Sequence, residues 1–520
     1  MTDQQLDFEL RQPTPVRLSQ TKIWDALGAY YDMLGEQAWT SGIVPSYSTS
    51  NCYIANAYAE MILAIWLDKQ AQNNTDPLTI IELGSGHGKF GFYLLRQLES
   101  IFASRGLDLN GISLVMTDYS EQNIQFLREQ PQLAPYVEKG LVDFAIVNGG
   151  TDRSIRLITQ GITYSSQNQI ANNVVIANYF FDSLPIDVFR VTDGMLQQAL
   201  VTISLTGDPP HILKPSGFFE RLNLSWSHQP VASTLYQDSQ LNEILLFYQH
   251  QPHNITFNLP FSSISTLQFL ASMTAKNLFV LSADKGFNHI EEMIGRGSSM
   301  ACHGSFSFMV NFHAIGKWFE NRGGVARHSS QRTGSVRFSA FSLTNPLYDS
   351  TEFQFAFQKR MEEFNPMDFF ALRKSTKDTG ALSREKIYAI IRLSCYDPHT
   401  FIKYADDIKA SLSKPSSLIV FETEQMLERV FANHYQLGQN ELLFKIGLIY
   451  RAIRNYSVAL KFFEQYLSSN DNDAFAHFYV GFCLYKLDQP EKAQLAFERA
   501  YKLKPDEKRF LHWHKESLKP

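Results

Sequence analysis

The segment most suggestive of chemistry is a glycine-rich loop that joins an apolar run to a helical pattern. Residues 80–90 read IIELGSGHGKF, with Gly84, Gly86 and Gly88 at alternate positions. Glycines let the backbone turn sharply and let a ligand approach main-chain atoms closely. The helix that follows offers unpaired backbone N–H groups at its N-terminus. The segment therefore predicts a ligand-binding loop.

The residue types around this loop favour a cationic ligand over a phosphate. No Gly-Lys-Ser/Thr follows at P-loop spacing, which excludes a P-loop. A dinucleotide-binding site has the motif G-x-G-x-x-G, whereas this loop reads G-x-G-x-G. Glu82 lies two residues before the first glycine, where it would repel a pyrophosphate but attract a positive charge. S-adenosylmethionine carries a sulfonium and an ammonium group. We predict it as the cofactor, held by Glu82, Gly84, Gly86 and Gly88.

The next two apolar runs supply further candidate cofactor residues. Residues 114–118 end in Asp118, whose carboxylate at the carboxyl edge of a parallel sheet can accept both ribose hydroxyls. Residues 140–144 offer the Asp143 carboxylate and the Phe144 ring for the adenine. The alternatives are a helix N-cap for Asp118 and ordinary core packing for Phe144.

A second motif follows the fourth apolar run, where residues 178–189 read NYFFDSLPIDVF. With the glycine loop, this motif resembles the MidA-like methyltransferases, which are related to the mitochondrial complex I assembly factor and read Asn-Glu-Phe-Phe-Asp-Ala-Leu-Pro here. The similarity covers about residues 40–345 and includes the hairpin at Asp193-Gly194. It implies a Rossmann-like class I fold, methyl transfer from S-adenosylmethionine, and protein arginine methylation as the best-known family activity.

By motif match, the resemblance also places Asn178 beside the reacting methyl group. The family acid that follows this asparagine is Tyr179 here. Because a guanidinium acceptor usually needs carboxylates to hold it, this departure weakens the expectation of an arginine acceptor.

Ligands of such sheets bind beyond the carboxyl ends of the strands, so we expect an acceptor pocket built from the loops after Ala177 and Ser282. The predicted catalytic residues are Asn178 and Asp182, as hydrogen-bond acceptors toward the nucleophile; Asp182 as a helix cap is the equal alternative. The predicted substrate contacts are Tyr179, Phe181, Asp284 and His303. The alternatives are core packing for Phe181 and a structural role for His303. No metal site is predicted.

The elements that must position these residues follow from hydrophobic patterning. Short apolar runs alternate with helical stretches from Thr79 onward, which predicts a mostly parallel sheet with helices on both faces. We predict an N-terminal helical segment over 1–78, a methyltransferase domain over 79–345 with an insertion around 190–260, and a helical linker over 346–417.

An internal repeat occupies the C-terminal region. Glycine, alanine and phenylalanine recur after 34 residues, at 447 and 481, 459 and 493, and 463 and 497. This period is typical of tetratricopeptide repeats. We predict an all-α repeat solenoid over 418–520 with a capping helix, whose concave groove would bind a protein or peptide.

Composition sets broad limits on the 520-residue chain. A formal charge of −5 gives no overall footprint for nucleic acid, and the longest apolar run, near 61–67, is far too short to span a bilayer. Four scattered cysteines show no disulfide framework or metal spacing, and the first residues, MTDQQLDFEL, do not resemble a signal peptide. We expect a cytoplasmic protein.

Together these observations predict an S-adenosylmethionine-dependent methyltransferase that acts on a protein recruited by its repeats. Two alternatives stay open: a small-molecule methyltransferase, and a catalytically weak methyltransferase-fold adapter whose repeats bind a partner. The intact glycine loop and Asp118 argue against the adapter, since a scaffold does not need them.

Overall fold

The structure is a computed structural model that describes residues 10–35, 37–40, 47–206, 217–330, 334–344, 350–376, 382–437 and 441–517. The chain forms two compact units, Met1–Asp368 and Phe369–Pro520. The predicted domain boundaries at 78, 345 and 417 stay predictions.

The strands, numbered in chain order, are β1 (Gln12–Val16), β2 (Leu78–Glu82), β3 (Ile112–Asp118), β4 (Val142–Ile146), β5 (Ile155–Arg156), β6 (Thr163–Tyr164), β7 (Ile170–Asn178), β8 (Asp187–Thr192), β9 (Met195–Leu205), β10 (Leu222–Pro230), β11 (Ile255–Leu259), β12 (Thr274–Phe287), β13 (Met300–His303), β14 (Ser305–Phe308), β15 (Val310–Asn311), β16 (Val325–His328) and β17 (Val336–Leu343).

The α-helices are α1 (Ile23–Leu34), α2 (Gln37–Thr40), α3 (Cys52–Ala71), α4 (Lys89–Ser104), α5 (Glu121–Arg128), α6 (Ala134–Glu138), α7 (Ser239–Gln249), α8 (Phe261–Ser272), α9 (Phe312–Asn321), α10 (Thr351–Phe357), α11 (Pro366–Ser375), α12 (Arg384–Leu393), α13 (Pro398–Ser411), α14 (Ser417–Ala432), α15 (Glu441–Ala452), α16 (Tyr456–Leu467), α17 (Ala474–Lys486), α18 (Pro490–Leu503) and α19 (Lys508–Glu516). A π-helical segment, Gln358–Glu363, follows α10, and short 3₁₀ turns lie at Leu18–Gln20, Phe181–Ser183, Phe219–Arg221 and Ile290–Met293.

A mixed sheet forms the centre of the first unit. Its order is β16-β17-β12-β7-β2-β3-β4, and β12, β7, β2, β3 and β4 run parallel. β17 is antiparallel to β12, and β16 is antiparallel to β17. Every residue of β2 is buried, as expected of a central parallel strand covered on both faces. The predicted mostly parallel sheet is confirmed, and its carboxyl edge gathers the ends of β2, β3, β4 and β7.

A second, antiparallel sheet contains the predicted insertion. Its order is β1-β9-β8-β11, with β10 on β9. β8 and β9 form the predicted hairpin: Thr192 pairs with Met195, and Asp193 and Gly194 take φ values of +50° and +75°. Two consecutive left-handed residues are the hallmark of a type I′ turn, which matches the twist of the strands.

The second unit is helical, and its last helices repeat one packing arrangement. A Cβ atom added at Gly447 of α15 would lie 2.8 Å from the Phe463 ring of α16, and one at Gly481 of α17 would lie 2.8 Å from the Phe497 ring of α18. The 34-residue period therefore corresponds to two helix pairs, each with a ring packed on a glycine. α19, at the predicted capping position, contributes the fully buried Phe510.

The described residues offer neither a candidate membrane-spanning helix nor a candidate metal site. Among those residues, no helix has the length and apolar character needed to cross a membrane. The same part of the chain contains no group of three His, Cys, Asp or Glu side chains placed to hold a metal ion.

The packing of Phe497 on Gly481 generates a stability prediction. We expect Gly481→Ala to destabilise the C-terminal unit by about 1–3 kcal/mol, because the ring has no room for a methyl group. Hydrogen exchange of the amides in 441–517 measures the effect. In a Phe497→Leu background the same change should cost clearly less; an equal cost in both backgrounds would contradict the packing argument.

Candidate functional site

The glycine loop makes a left-handed turn between β2 and α4. Gly84, Gly86 and Gly88 have φ values of +64°, +51° and +78°, a region that residues with a Cβ rarely adopt. The Ser85 amide donates to the Thr117 carbonyl at 2.7 Å, which ties the loop to the end of β3. α4 begins immediately afterwards at Lys89, so its first N–H groups lie next to the loop.

Asp118 stands at the end of β3 and connects that strand to the loop. Its carboxylate accepts the Gly86 amide at 3.0 Å, the Ser120 amide at 3.0 Å and the Asn123 side chain at 3.2 Å. Burial raises the pKa of Asp118, and the hydrogen bonds from the Ser120 and Gly86 amides oppose this effect. Asp118 also lines a cavity at this edge of the sheet. The same carboxylate therefore both holds the loop and faces the cavity.

A cavity of about 560 Å³ opens above the carboxyl ends of the parallel strands, within the size range of small-molecule sites. Its floor includes Gly84 and Asp118, and the segment after β4 adds Val147, Asn148 and Gly149. The described residues fit the predicted cofactor, since glycine backbone, an acid at the end of β3 and a polar turn after β4 meet at one edge.

Glu82 lies beneath this floor and does not line the cavity. A Cβ added at Gly91 would approach its Oε2 atom to 2.6 Å, and the Ser85 hydroxyl donates to the same oxygen at 3.0 Å. Burial raises the pKa of Glu82 to about 8, opposed by the Ser85 hydrogen bond. The predicted contact between Glu82 and the cofactor stays a prediction, and in the structure the side chain is buried beneath the loop.

Asp143 and Phe144 lie away from the cavity, contrary to the sequence-based expectation. The Asp143 carboxylate accepts the Thr159 amide at 2.8 Å and the Gln160 amide at 2.9 Å, and the Phe144 ring is in the core at 1% exposure. Both belong to the body of β4, whereas the cavity begins only after its last residue, Ile146. Val147 and Asn148, which follow β4, line the cavity instead.

Asn178 and Phe181 do not line the cavity. The Asn178 carboxamide oxygen accepts the Tyr58 hydroxyl at 2.9 Å and the Ala283 amide at 3.0 Å, so it is not free to accept from a nucleophile. The Phe181 side chain is buried at 1% exposure. Its neighbour Phe180 instead lines the cavity and lies next to Gly84.

Tyr179 lines the cavity from an unusual backbone conformation. Its φ is +49°, and its amide donates to the Ala283 carbonyl at 3.0 Å. A bulky residue in the left-handed region stores about 1–3 kcal/mol of strain, and residues strained in this way cluster at functional sites. Burial raises the pKa of its phenol, and the nearby Asp284 and Asp182 charges add to the effect.

Two carboxyl groups meet beside Tyr179. The Asp182 amide donates to the Asp284 Oδ2 atom at 3.1 Å, Asp284 is fully buried, and Asp182 lines the cavity. Burial raises the pKa of Asp182 to about 6, while the Lys285 ammonium opposes the shift. Burial, followed by the charge of Asp182, holds the pKa of Asp284 well above its usual range. Like charges this close favour one shared proton.

The N-terminal helices contribute an aromatic wall that was not predicted from the sequence. A Cβ added at Gly86 would meet the Trp39 ring at 3.1 Å, and the Tyr31 and Trp39 rings stack with centroids 5.7 Å apart. The Tyr31 hydroxyl donates to the Ser305 hydroxyl at 3.1 Å. Trp24, Tyr31 and Trp39 all line the cavity. The high aromatic content of residues 1–45 was the available signal.

His303 is the remaining predicted substrate contact. Its backbone ends β13, and its side chain lies outside the described residues.

The raised pKa of Glu82 generates a prediction about stability and pH. The unfolded chain releases this proton near pH 4.5 and the folded chain only near pH 8, so the wild type loses stability as pH rises between these values. Glu82→Gln should therefore be more stable than the wild type at pH 8 and similar near pH 4, measured by urea unfolding. Glu138→Gln, at an exposed site, is the control; a pH-independent difference for Glu82→Gln would contradict the burial argument.

Comparisons with known proteins agree with this geometry. Residues 58–323 match a family described as "putative S-adenosyl-L-methionine-dependent methyltransferase", and residues 474–507 match the tetratricopeptide repeat. The search of curated proteins gave no match.

Two solved structures from Burkholderia thailandensis are similar to the chain. An uncharacterised superfamily protein is 13% identical, with a TM-score of 0.42, and the alignment covers 68% of this chain and 93% of that one. A member of the same superfamily, proposed to be a methyl transferase and bound to S-adenosyl-homocysteine, is 13% identical, with a TM-score of 0.36 and coverage of 65% and 97%.

The family model spans more than half of the chain, and the repeat model accounts for one period of the C-terminal pattern. The cofactor is S-adenosylmethionine, as predicted. The chain therefore belongs to this family of S-adenosyl-L-methionine-dependent methyltransferases and carries a tetratricopeptide repeat near its C-terminus.

Proposed function

We propose that the protein transfers a methyl group from S-adenosylmethionine to a protein substrate that its repeats recruit. The observation that carries the proposal is a single cavity that combines a cofactor-binding edge with an acceptor side. Gly84 and Asp118 line one part of it, and Asp182 and Lys285 line another. The bound cofactor supplies a methyl group on a positively charged sulfur.

Asp182 is the proposed proton acceptor. A nitrogen nucleophile must lose a proton as its bond to the methyl carbon forms and the carbon–sulfur bond breaks. Asp182 faces the cavity, and its pKa of about 6 leaves it largely ionised at neutral pH yet basic enough to accept that proton. Asp284, fully buried behind it, is a positioning residue that accepts the Asp182 backbone amide.

The N-terminal aromatic side chains have a proposed role in excluding water. Trp39 packs on Gly86, and Tyr31 links this wall to Ser305 of β14. Removing water from the site strengthens the interaction of the acids with a cationic cofactor.

The proposal also specifies the chemical class of the methyl acceptor. The Asp182–Asp284 pair favours a nitrogen acceptor, and arginine remains one such acceptor. Tyr179 contributes a neutral phenol where the related family has an acid, so a guanidinium would find one carboxylate fewer than in that family. The repeat that matches residues 474–507 supports recruitment of a protein rather than a small molecule.

Methyl-labelled S-adenosylmethionine tests the proposal directly. Full-length protein is incubated with lysate and the labelled cofactor, with Asp182→Asn as the inactive reference. Label in protein bands is the expected result, and acid hydrolysis then identifies the methylated residue. Label only in small molecules would favour the small-molecule alternative, and absence of transfer despite intact cofactor binding would favour the adapter.

The two acids predicted from the sequence to bind the cofactor, Asp118 and Asp143, should differ in their effect on cofactor binding. We expect Asp118→Asn to weaken S-adenosylmethionine binding by about tenfold or more, because a charged hydrogen-bond acceptor is lost at the cavity. Asp143→Asn should bind normally, since Asp143 contacts only backbone amides elsewhere. Calorimetry measures both; equal binding by wild type and Asp118→Asn would refute the assignment.

The assignment of Asp182 predicts a pH profile. Transfer by the wild type should rise as pH increases through about 6, since the carboxylate must be ionised to accept a proton. Asp182→Asn should lose roughly 10²- to 10⁴-fold in rate while still binding the cofactor. Asp193→Asn, at the exposed hairpin turn, is the matched control. A flat profile with retained activity in Asp182→Asn would exclude Asp182 as the base.

A further inference from the structure

The first unit contains a second cavity, apart from the one at the carboxyl ends of the parallel strands. It has a volume of about 450 Å³ and lies between β11, the end of β12 and the segment that follows the 3₁₀ turn Ile290–Met293. Within the described residues, the two cavities have no lining residue in common. The second cavity is therefore a separate candidate site, and its size suits a small molecule.

The charge of this cavity is positive. Among the described residues, its lining includes Arg296 but no Asp or Glu. The Arg296 guanidinium lies 5.6 Å from the centroid of the Phe287 ring, and within the same residues it forms neither an ion pair nor a hydrogen bond. Glu292, four positions earlier, pairs with Arg337 at 2.6 Å instead. A guanidinium that is held on a ring and has no counter-ion attracts an anionic ligand.

Backbone donors that follow Arg296 in the chain are available to the same anion. The amides of Gly297, Ser298 and Ser299 donate no hydrogen bond within the part of the chain that the structure describes, and all three residues line the cavity. The Ser298 hydroxyl donates to the Asn258 Oδ1 atom of β11 at 2.8 Å, which ties this segment to the opposite wall. Successive backbone N–H groups in a turn form a concave donor set for anions.

Apolar side chains form much of the remaining wall of the cavity. Phe257 and Met293 are buried at 1% exposure, and Phe287 and Met309 are half-buried. An inorganic anion would leave this apolar surface in contact with water, whereas an organic group attached to the anion would cover it. The donors and the apolar wall together therefore indicate a ligand with an anionic part and an apolar part.

We propose that this cavity binds a phosphate monoester that carries a small apolar group, such as an aromatic ring. The phosphate would accept hydrogen bonds from the Arg296 guanidinium and from the amides of residues 297–299, and the apolar group would pack on Phe257 and Phe287. A phosphate monoester is favoured over a carboxylate because it presents three terminal oxygens and a charge of about −1.5 to −2 to this set of donors. The proposal goes beyond methyl transfer and does not rest on it.

Calorimetry of the full chain with phenyl phosphate tests the proposal. We expect phenyl phosphate to bind about tenfold more tightly than inorganic phosphate, or better, because its ring covers apolar surface. It should also bind more tightly than benzoate, which combines the same ring with a carboxylate. Equal binding of inorganic phosphate would contradict the apolar part of the ligand, and equal binding of benzoate would contradict the phosphate.

Two variants and one control locate the ligand. Arg296→Gln should weaken the binding of phenyl phosphate by about tenfold or more, because charged hydrogen-bond donors are lost. Gly297→Asp should weaken it as well, since a Cβ at this position meets no atom within 4 Å and the added carboxylate would repel the phosphate. Arg322→Gln is the matched control, because Arg322 also lies over a ring, 5.0 Å from the Trp318 centroid, but does not line this cavity.

The remaining arms of the experiment separate the two cavities. Phenyl phosphate should bind equally with and without saturating S-adenosylhomocysteine, and equally to Lys285→Gln, which removes the cation of the first cavity. Displacement by S-adenosylhomocysteine, or a loss of binding in Lys285→Gln, would place the ligand in the first cavity and overturn the proposal. The absence of binding to the wild type, or normal binding by either Arg296→Gln or Gly297→Asp, would overturn it too.

Discussion

The hydrogen bond between the Gly86 amide and the Asp118 carboxylate ties together the ends of the two neighbouring strands at which the site forms. It joins the loop after β2 to the end of β3. Because Gly86 is the middle one of three glycines with positive φ, the bond fixes the backbone at the centre of the loop. The direction of α4 depends on that loop, since the helix begins one residue after its last glycine. The floor of the cavity and the first turn of α4 therefore depend on the same hydrogen bond. The Asp118 carboxylate stabilises the glycine loop and also faces the cavity.

The acceptor side depends on a different constraint, the burial of two carboxyl groups in contact. Burial raises the pKa of both carboxyl groups, and the charge of Asp182 raises that of Asp284 further. The strained backbone of Tyr179 sits directly before this pair, stabilised by its hydrogen bond to Ala283. The Asn178 carboxamide accepts the Ala283 amide as well. Residues that we had assigned to chemistry thus position the chain that carries it.

Local patterns made much of this fold predictable from the sequence. Central strands, the Asp193-Gly194 turn, the glycine loop and the 34-residue period each depend on short-range periodicity or on the conformational freedom of glycine. The placement of individual side chains, in contrast, depends on contacts between residues that are far apart in the sequence. The position of Asp143 outside the cavity could not be predicted, because no local pattern fixes how far β4 extends before the cavity opens. The hydrogen bond between Asn178 and Tyr58 could not be predicted, because the two residues are 120 positions apart in the chain.

The same distinction explains why the repeat region could be recognised while its ligand could not. Gly447 with Phe463 and Gly481 with Phe497 must recur, because each ring fills the space that the missing side chain leaves. Packing therefore dictates the period but leaves the outward positions of the first helices free.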